Sequence, residues 1–219
     1  PAKIISVVGA RPQFVKAAAV SRLLRAEHDE LLINTGQHYD DELSAIFVTE
    51  LGIPEPDLDL GLGGGTNTEQ TAAMLAAIAP VMAEHRPDVV LVYGDTNSTL
   101  AGGLAAAQAG IRVAHVEAGM RSFDRRMPEE LNRVLTDHLS DLLLVPTQAA
   151  GDNLEREHVA GRIALVGDVM VDVAALVRPR AAGDRGPLDA AGVEPGGYVL
   201  ATTHRAGNVD DPQRLRRLV

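Results

Sequence analysis

The sequence contains no cysteine and no tryptophan, and only 3% of its 219 residues are aromatic. The missing cysteines exclude disulfides, thiolate catalysis and Cys-ligated zinc. So few aromatic rings argue against a base-stacking platform. A formal net charge of −10 argues equally against a surface for nucleic acid or for an anionic membrane. An anionic ligand would have to be gripped by local Arg, Lys and helix ends, not by a global field. Long apolar runs are lacking too: TAAMLAAIAPVMA is interrupted too soon to span a bilayer. The chain opens on AKIISVVG, without a charged leader or cleavage site. A soluble, cytoplasmic protein is the expectation.

Several chemical signatures are also absent. There is no G-x-G-x-x-G after a strand, so no nicotinamide cofactor is expected. The seven histidines show no H-x-H or H-E-x-x-H spacing, so no metal site is expected. No G-x-S-x-G elbow is present, and Ser98 reads as part of the first turn of a helix.

What remains is a regular alternation. Apolar, β-branched runs (KIISVV at 3–8, LLIN at 31–34, 87–94, 111–118, LLLV at 142–145 and 162–166) alternate with helix-like segments (12–25, 42–51, 68–86, a helix after Asp95, one after Pro128, 147–158 and 169–178). This pattern predicts an α/β fold: a Rossmann-like parallel sheet with helices on both faces. Residues 179–197 are rich in Pro, Gly and Ala and read as a linker, after which YVLATTH reads as one further strand and DDPQRLRRLV as a helix start. The expected organisation is a first domain over 1–170, a helix and linker over 171–196, and the beginning of a second domain over 197–219.

Carboxylates sit where such a sheet places ligands. Asp95 lies just past one strand and Glu117 at the end of another, and Glu129 and Glu130 follow Pro128 at a helix start. Each acid taken alone reads equally well as an ordinary helix cap. In the helix after Pro128, the residues Leu131, Val134, Leu135, His138 and Leu139 form an apolar stripe. That stripe would turn Glu129, Asn132 and Arg133 outward toward a cleft and make His138 a core histidine. Gly9-Ala10-Arg11-Pro12 joins the first strand to a helix N-terminus, a ready anion site with Arg11 at its mouth and Lys16 one turn in. The paired Gly102-Gly103 inside a helix calls for a close approach of another backbone. Acids beside a fixed positive region suit elimination or acid–base chemistry on a phosphorylated or nucleotide-linked substrate.

The segments GARPQFVKAAAV, TGQHYD, VLVYGDTNSTLAGGLAA, AHVEAGMRSFDRRMPEELNRVLTDHLSDLLLVPT, VGDVMVD and TTHRAGNVD resemble, in order, the motifs of the non-hydrolysing UDP-N-acetylglucosamine 2-epimerases. The resemblance implies one half of a glycosyltransferase-B-type fold of two facing Rossmann-like domains, with the second, UDP-binding domain incomplete here. It implies interconversion of UDP-GlcNAc and UDP-ManNAc by elimination of UDP, through 2-acetamidoglucal, and readdition. It implies Asp95, Glu117, Glu129 and His204 as catalytic residues, and Arg11 and Lys16 near the phosphates. Gln37 and His38 match a second UDP-sugar site of some members, although Tyr39 stands where those members carry Arg. The implied partners are a UDP-sugar and a second copy of the chain. GQHYD and RPQFVKAA also resemble relatives acting on UDP-2,3-diacetamido-glucuronic acid. A hydrolysing 2-epimerase, a retaining glycosyltransferase and an inactive fragment are the other readings.

Overall fold

The computed structural model describes residues 1–37, 55–203 and 206–218. Among them seven strands form one sheet: β1 (Lys3–Val8), β2 (Asp29–Asn34), β3 (Leu58–Asp59), β4 (Val89–Tyr93), β5 (Arg112–Val116), β6 (Leu142–Val145) and β7 (Arg162–Leu165). Their order is β3-β2-β1-β4-β5-β6-β7, and every pairing is parallel. The chain winds outward from β1 to β3, then returns to the other side of β1 with β4. Such a reversal opens a crevice at the carboxyl ends of β1 and β4.

The connecting helices are α1 (Arg11–Glu27), α2 (Asn67–His85), α3 (Asn97–Gln108), α4 (Pro128–Leu139), α5 (Gln148–Arg156) and α6 (Val169–Ala181). Local chemistry starts them. Thr66 caps α2 in a reciprocal box, accepting from the Glu69 N–H at 3.3 Å while Glu69 Oε2 accepts from the Thr66 N–H at 2.8 Å. Thr96 and Thr147 cap α3 and α5 in the same Ser/Thr manner.

Alternation along the strands feeds two cores. Ile5, Val7, Ile33, Val90 and Val92 meet Met74, Ile78 and Met82 of α2 and Ala101 and Ala105 of α3. On the opposite face Ile4, Val8, Leu32, Leu91 and Tyr93 meet Ala17 of α1, flanked by Phe14 and Leu24. Each fully buried Met or Ile contributes about 1.5–3 kcal/mol. The architecture is therefore the expected parallel sheet with helices on both faces. The Gly102 expectation needs one correction. A Cβ there would come within 3.2 Å of the Val7 and Val92 side chains, so the close approach is to the sheet's side chains, not to another backbone.

The chain divides into two compact units, Pro1–Val177 and Arg178–Val219. The second contains α7 (Gly186–Ala191), α8 (Ala206–Val209) and α9 (Pro212–Leu218), so the stretch read as linker includes a short helix, closed by Gly192 at φ +66°. The strand expected at YVLATTH is absent over residues 198–203. A strand is completed only by ladder hydrogen bonds to a neighbour, and this unit offers none among the described residues. The helix expected over 42–51 lies outside the described residues.

Candidate active site

Because β1, β4 and β5 run parallel, the loops after them emerge at one edge of the sheet. Arg11, Asp95 and Glu117 sit there together, directly beyond those three strands. Lys16 reaches across from α1 and pairs with Glu117. Gly94, at φ +65°, lies under that ammonium: a Cβ there would stand 3.5 Å from Lys16 Nζ. Glu117 itself has φ +69°, a left-handed backbone that a non-glycine residue rarely adopts. Such a conformation stores about 1 kcal/mol or more and tends to mark functional sites.

The Asp95 turn is held by an unusual density of buried donors. The Tyr93 carbonyl accepts from Gln13 Nε2 at 2.8 Å and from Thr99 Oγ1 at 2.6 Å. The next carbonyl, of Gly94, lies 2.6 Å from His115 Nε2, and the Asp95 carbonyl accepts from Asn132 Nδ2 at 3.1 Å. Three successive carbonyls thus each meet a side chain from another element. The Asp95 carboxylate pairs with Arg133, whose Nη1 is 3.2 Å from Glu130 Oε2. Gln13, 1% exposed, also closes the start of α1, its Oε1 accepting from the N–H groups of Gly9 (2.9 Å) and Ala10 (3.0 Å).

Helix α4 faces the opposite way from the sequence expectation. Leu131 and Leu135 are 44% and 51% exposed, while Glu130, Asn132, Thr136 and Asp137 are buried. His138 is largely exposed and lies 3.6 Å from Glu157, so it is not a core histidine. The physical reason is the loop beyond β5, whose backbone N–H groups need acceptors. Glu130 accepts from Ser122 and Phe123, both at 2.9 Å. Asp137 Oδ2 accepts from Gly119 at 3.1 Å and from Arg121 Nη1 at 2.7 Å, while Oδ1 lies 2.7 Å from His115 Nδ1. Arg121 is also held by Glu157, with Nε donating to Oε1 at 2.8 Å and Nη2 to Oε2 at 2.6 Å.

These contacts set the ionisation. Burial alone would push both Glu130 and Asp137 up. For Glu130 the Ser122 and Phe123 N–H groups and then Arg133 outweigh it, and for Asp137 the His115 contact and Arg121 do; both carboxyls end below their ordinary values. The Arg121 hydrogen bond likewise holds Glu157 below the usual carboxylate range.

The expected residues are therefore distributed unevenly. Lys16 and Glu117 touch, and Asp95 sits on Arg133. Lys16, 8% exposed, spends its ammonium on an acid in this structure. Gln37 accepts on Oε1 from the N–H (3.0 Å) and Oγ (2.6 Å) of Ser98. Glu129 is exposed in the first turn of α4, joined to none of the other acids, and Arg11 is exposed at the mouth of α1. His38 and His204 lie outside the described residues, and the described residues include no cluster fit for a metal ion. Sequence reasoning missed Gln13 and Asp137 altogether, and it named Glu130 and turned Arg133 toward a cleft without foreseeing that Glu130 holds the loop after β5 or that Arg133 pairs with Asp95. A signal was present: Glu130, Arg133 and Asp137 stand at i, i+3 and i+7, a polar stripe with the same helical period as the apolar one.

The sequence profile of the UDP-N-acetylglucosamine 2-epimerase family matches residues 22–219. The chain belongs to this family. It is 48% identical over 99% of its length to a UDP-N-acetylglucosamine 2-epimerase homolog of Methanococcus maripaludis, covering 61% of that protein. It is 49% identical, with the same two coverages, to the UDP-2,3-diacetamido-2,3-dideoxy-D-glucuronate 2-epimerase of Pseudomonas aeruginosa. Among solved structures, the UDP-GlcNAc 2-epimerase of Methanocaldococcus jannaschii in complex with UDP-GlcNAc and UDP superimposes with a TM-score of 0.86 at 43% identity, over 99% of this chain and 59% of that one. This 2-epimerase-family chain thus spans about 60% of the length of these relatives.

Proposed function

We propose that this chain is the N-terminal Rossmann-like part of a non-hydrolysing, cytoplasmic UDP-N-acetylglucosamine 2-epimerase of glycosyltransferase-B type, interconverting UDP-GlcNAc and UDP-ManNAc. Residues 1–170 form the acid-bearing domain, 171–196 the connection and 197–219 the start of a UDP-binding domain. The observation that supports this most directly is the cation-paired acids at one sheet edge, Glu117 with Lys16 and Asp95 with Arg133, beside the Arg11 helix mouth.

The C2 hydrogen of the sugar is not next to a carbonyl, so removing it first is too costly. Instead the C1–O bond breaks, its electron pair leaving with UDP, and positive charge builds at C1. The C2–H pair then becomes the C1=C2 bond of 2-acetamidoglucal, and the proton passes to a carboxylate. Readdition of UDP returns a proton to the opposite face of C2. Acids near the ring and cations near the diphosphate are what that charge distribution demands. Asp95, Glu117, Glu129 and His204 are the proposed catalytic residues. Arg11, Lys16, Gln37 and His38 are the proposed substrate-binding ones.

The 49% identity to the Pseudomonas aeruginosa enzyme favours a second reading, in which the sugar is UDP-2,3-diacetamido-glucuronic acid. Turnover of the protein as naturally expressed, assayed on both sugars in D2O, separates the two. Deuterium should enter C2 of the product, and a C2 hydrogen retained on either substrate would refute elimination. We also propose a homodimer. An apolar groove among α2, α3 and α4, lined by Ala72, Leu75, Leu100, Leu131 and Leu135, supports it. Sedimentation should show a dimer that Leu135→Asp converts to monomer; a monomeric wild type would remove the idea.

A further inference from the structure

His115 is fully buried at the end of β5, and neither of its ring nitrogens faces solvent. Nε2 lies 2.6 Å from the Gly94 carbonyl oxygen, which can only accept. Nδ1 lies 2.7 Å from Asp137 Oδ1. The other Asp137 oxygen already receives the Gly119 N–H at 3.1 Å and Arg121 Nη1 at 2.7 Å, a donor set that stabilises a carboxylate. A histidine between a carbonyl and a carboxylate donates at both nitrogens. The charge is matched nearby: His115 and Arg121 are the cations, Asp137 and Glu157 the anions.

The placement matters more than the charge. Gly94 immediately precedes Asp95, and Gly119 follows Glu117 by two residues. Asp137 therefore joins the two acid-bearing turns. One of its oxygens reaches Gly94 through His115, and the other holds Gly119 directly. We infer that His115 is a buried imidazolium that acts as a positioning residue, fixing the Asp95 and Glu117 turns relative to one another through Gly94, Asp137 and Gly119. The consequence for turnover rests on the epimerase reading above, whereas the geometry does not.

Two variants separate position from charge. His115→Leu removes the donor to Gly94, so kcat should fall on the order of 10²-fold, the scale for a reacting group displaced by about 1 Å, with KM little changed. Asp137→Asn can keep its Oδ1 toward Gly119 and Arg121 and turn its amide N–H toward Nδ1 of a neutral His115. Nε2–H would then still hold Gly94, and kcat should stay within about tenfold of wild type. Nitrogen NMR of histidine-labelled protein at the pH of the turnover assay reads the same states. Two protonated-type signals are expected for His115 in the wild type, and one protonated with one pyridine-type signal in Asp137→Asn. A pyridine-type nitrogen in the wild type would overturn the imidazolium. Wild-type kcat in folded His115→Leu would overturn the positioning role. Should His115→Leu fail to fold, Asp137→Asn decides, because a 10²-fold loss there with Gly94 still bonded would place the effect in charge and not position. A wild-type protein without C2 epimerisation would refute the functional reading, and the NMR comparison would then judge the clamp alone.

Discussion

Glu129 and Glu130 are adjacent on α4 and should respond in opposite ways to the same substitution. Glu130 is 2% exposed; Oε2 accepts the Ser122 N–H and faces Arg133 Nη1 at 3.2 Å, while Oε1 accepts the Phe123 N–H. In Glu130→Gln one oxygen survives and can keep the Ser122 and Arg133 side. The amide NH2 must then point at the part-buried Phe123 N–H, donor against donor, and leave that N–H without its acceptor at a cost of about 1–3 kcal/mol. Loss of the charge also weakens the partly buried contact to Arg133, by roughly 1 kcal/mol. The sum is a destabilisation of about 2–4 kcal/mol. At an m-value of about 2–3 kcal/mol per molar urea, the midpoint should fall by about 1 M. Glu129, exposed and with no side-chain hydrogen bond among the described residues, should tolerate Gln with a stability change of about 0.5 kcal/mol or less. As a proposed catalytic acid it should nonetheless lose turnover on the order of 10²-fold. Paired urea titrations, monitored by circular dichroism, with turnover measured on the same preparations, make the comparison. A Glu130→Gln midpoint equal to that of wild type would refute the reading of Glu130 as the acceptor that holds the loop after β5.

The lowered carboxyls also define an acid limb. Because Glu130 and Asp137 titrate below their ordinary values when folded, their stabilisation is fully present above the ordinary carboxylate range near pH 4. It should be lost as pH falls through the lowered values, so urea midpoints should drop there in the wild type and drop less steeply in Glu130→Gln. Gly119, at φ +79°, has no room for a side chain: a Cβ would stand 2.3 Å from the Ala150 carbonyl oxygen. Gly119→Ala should therefore cost about 3 kcal/mol or more, measured by the same titration, and a neutral result would mean that α5 can move away from the loop.

Much of this was legible in the sequence because it depends on neighbours along the chain. KIISVV, VVLVY and LLLV are strands because their branched side chains suit a pleated, buried surface. Thr66, Thr96 and Pro128 start helices through groups within one turn of themselves. Once strands and helices alternate, right-handed crossovers make the sheet parallel, and residues just past β1, β4 and β5 must share an edge. That brings Arg11, Asp95 and Glu117 together without any tertiary knowledge.

The orientation of α4 was a different kind of question. Its apolar stripe of Leu131 and Leu135 competes with its polar stripe of Glu130, Arg133 and Asp137, and hydropathy alone selects the apolar one for the core. The outcome turned on groups outside the helix: the N–H groups of Gly119, Ser122 and Phe123 in the loop before it, the His115 ring of β5 and the Asp95 carboxylate beyond β4. Turning α4 over would strip acceptors from three N–H groups, the His115 ring and Arg121, at about 1–3 kcal/mol each, which together outweigh two half-exposed leucines at about 1.5–3 kcal/mol each for full burial. The sequence by itself determined most strands and helices of the first unit and which edge carries the acids, since those follow from local propensity and chain direction. Only the tertiary structure decided which face of α4 turns inward and which side chains hold the acids, because the helix carries both an apolar and a polar stripe, and which of them finds partners depends on where the loop N–H groups, His115 and Asp95 lie in space.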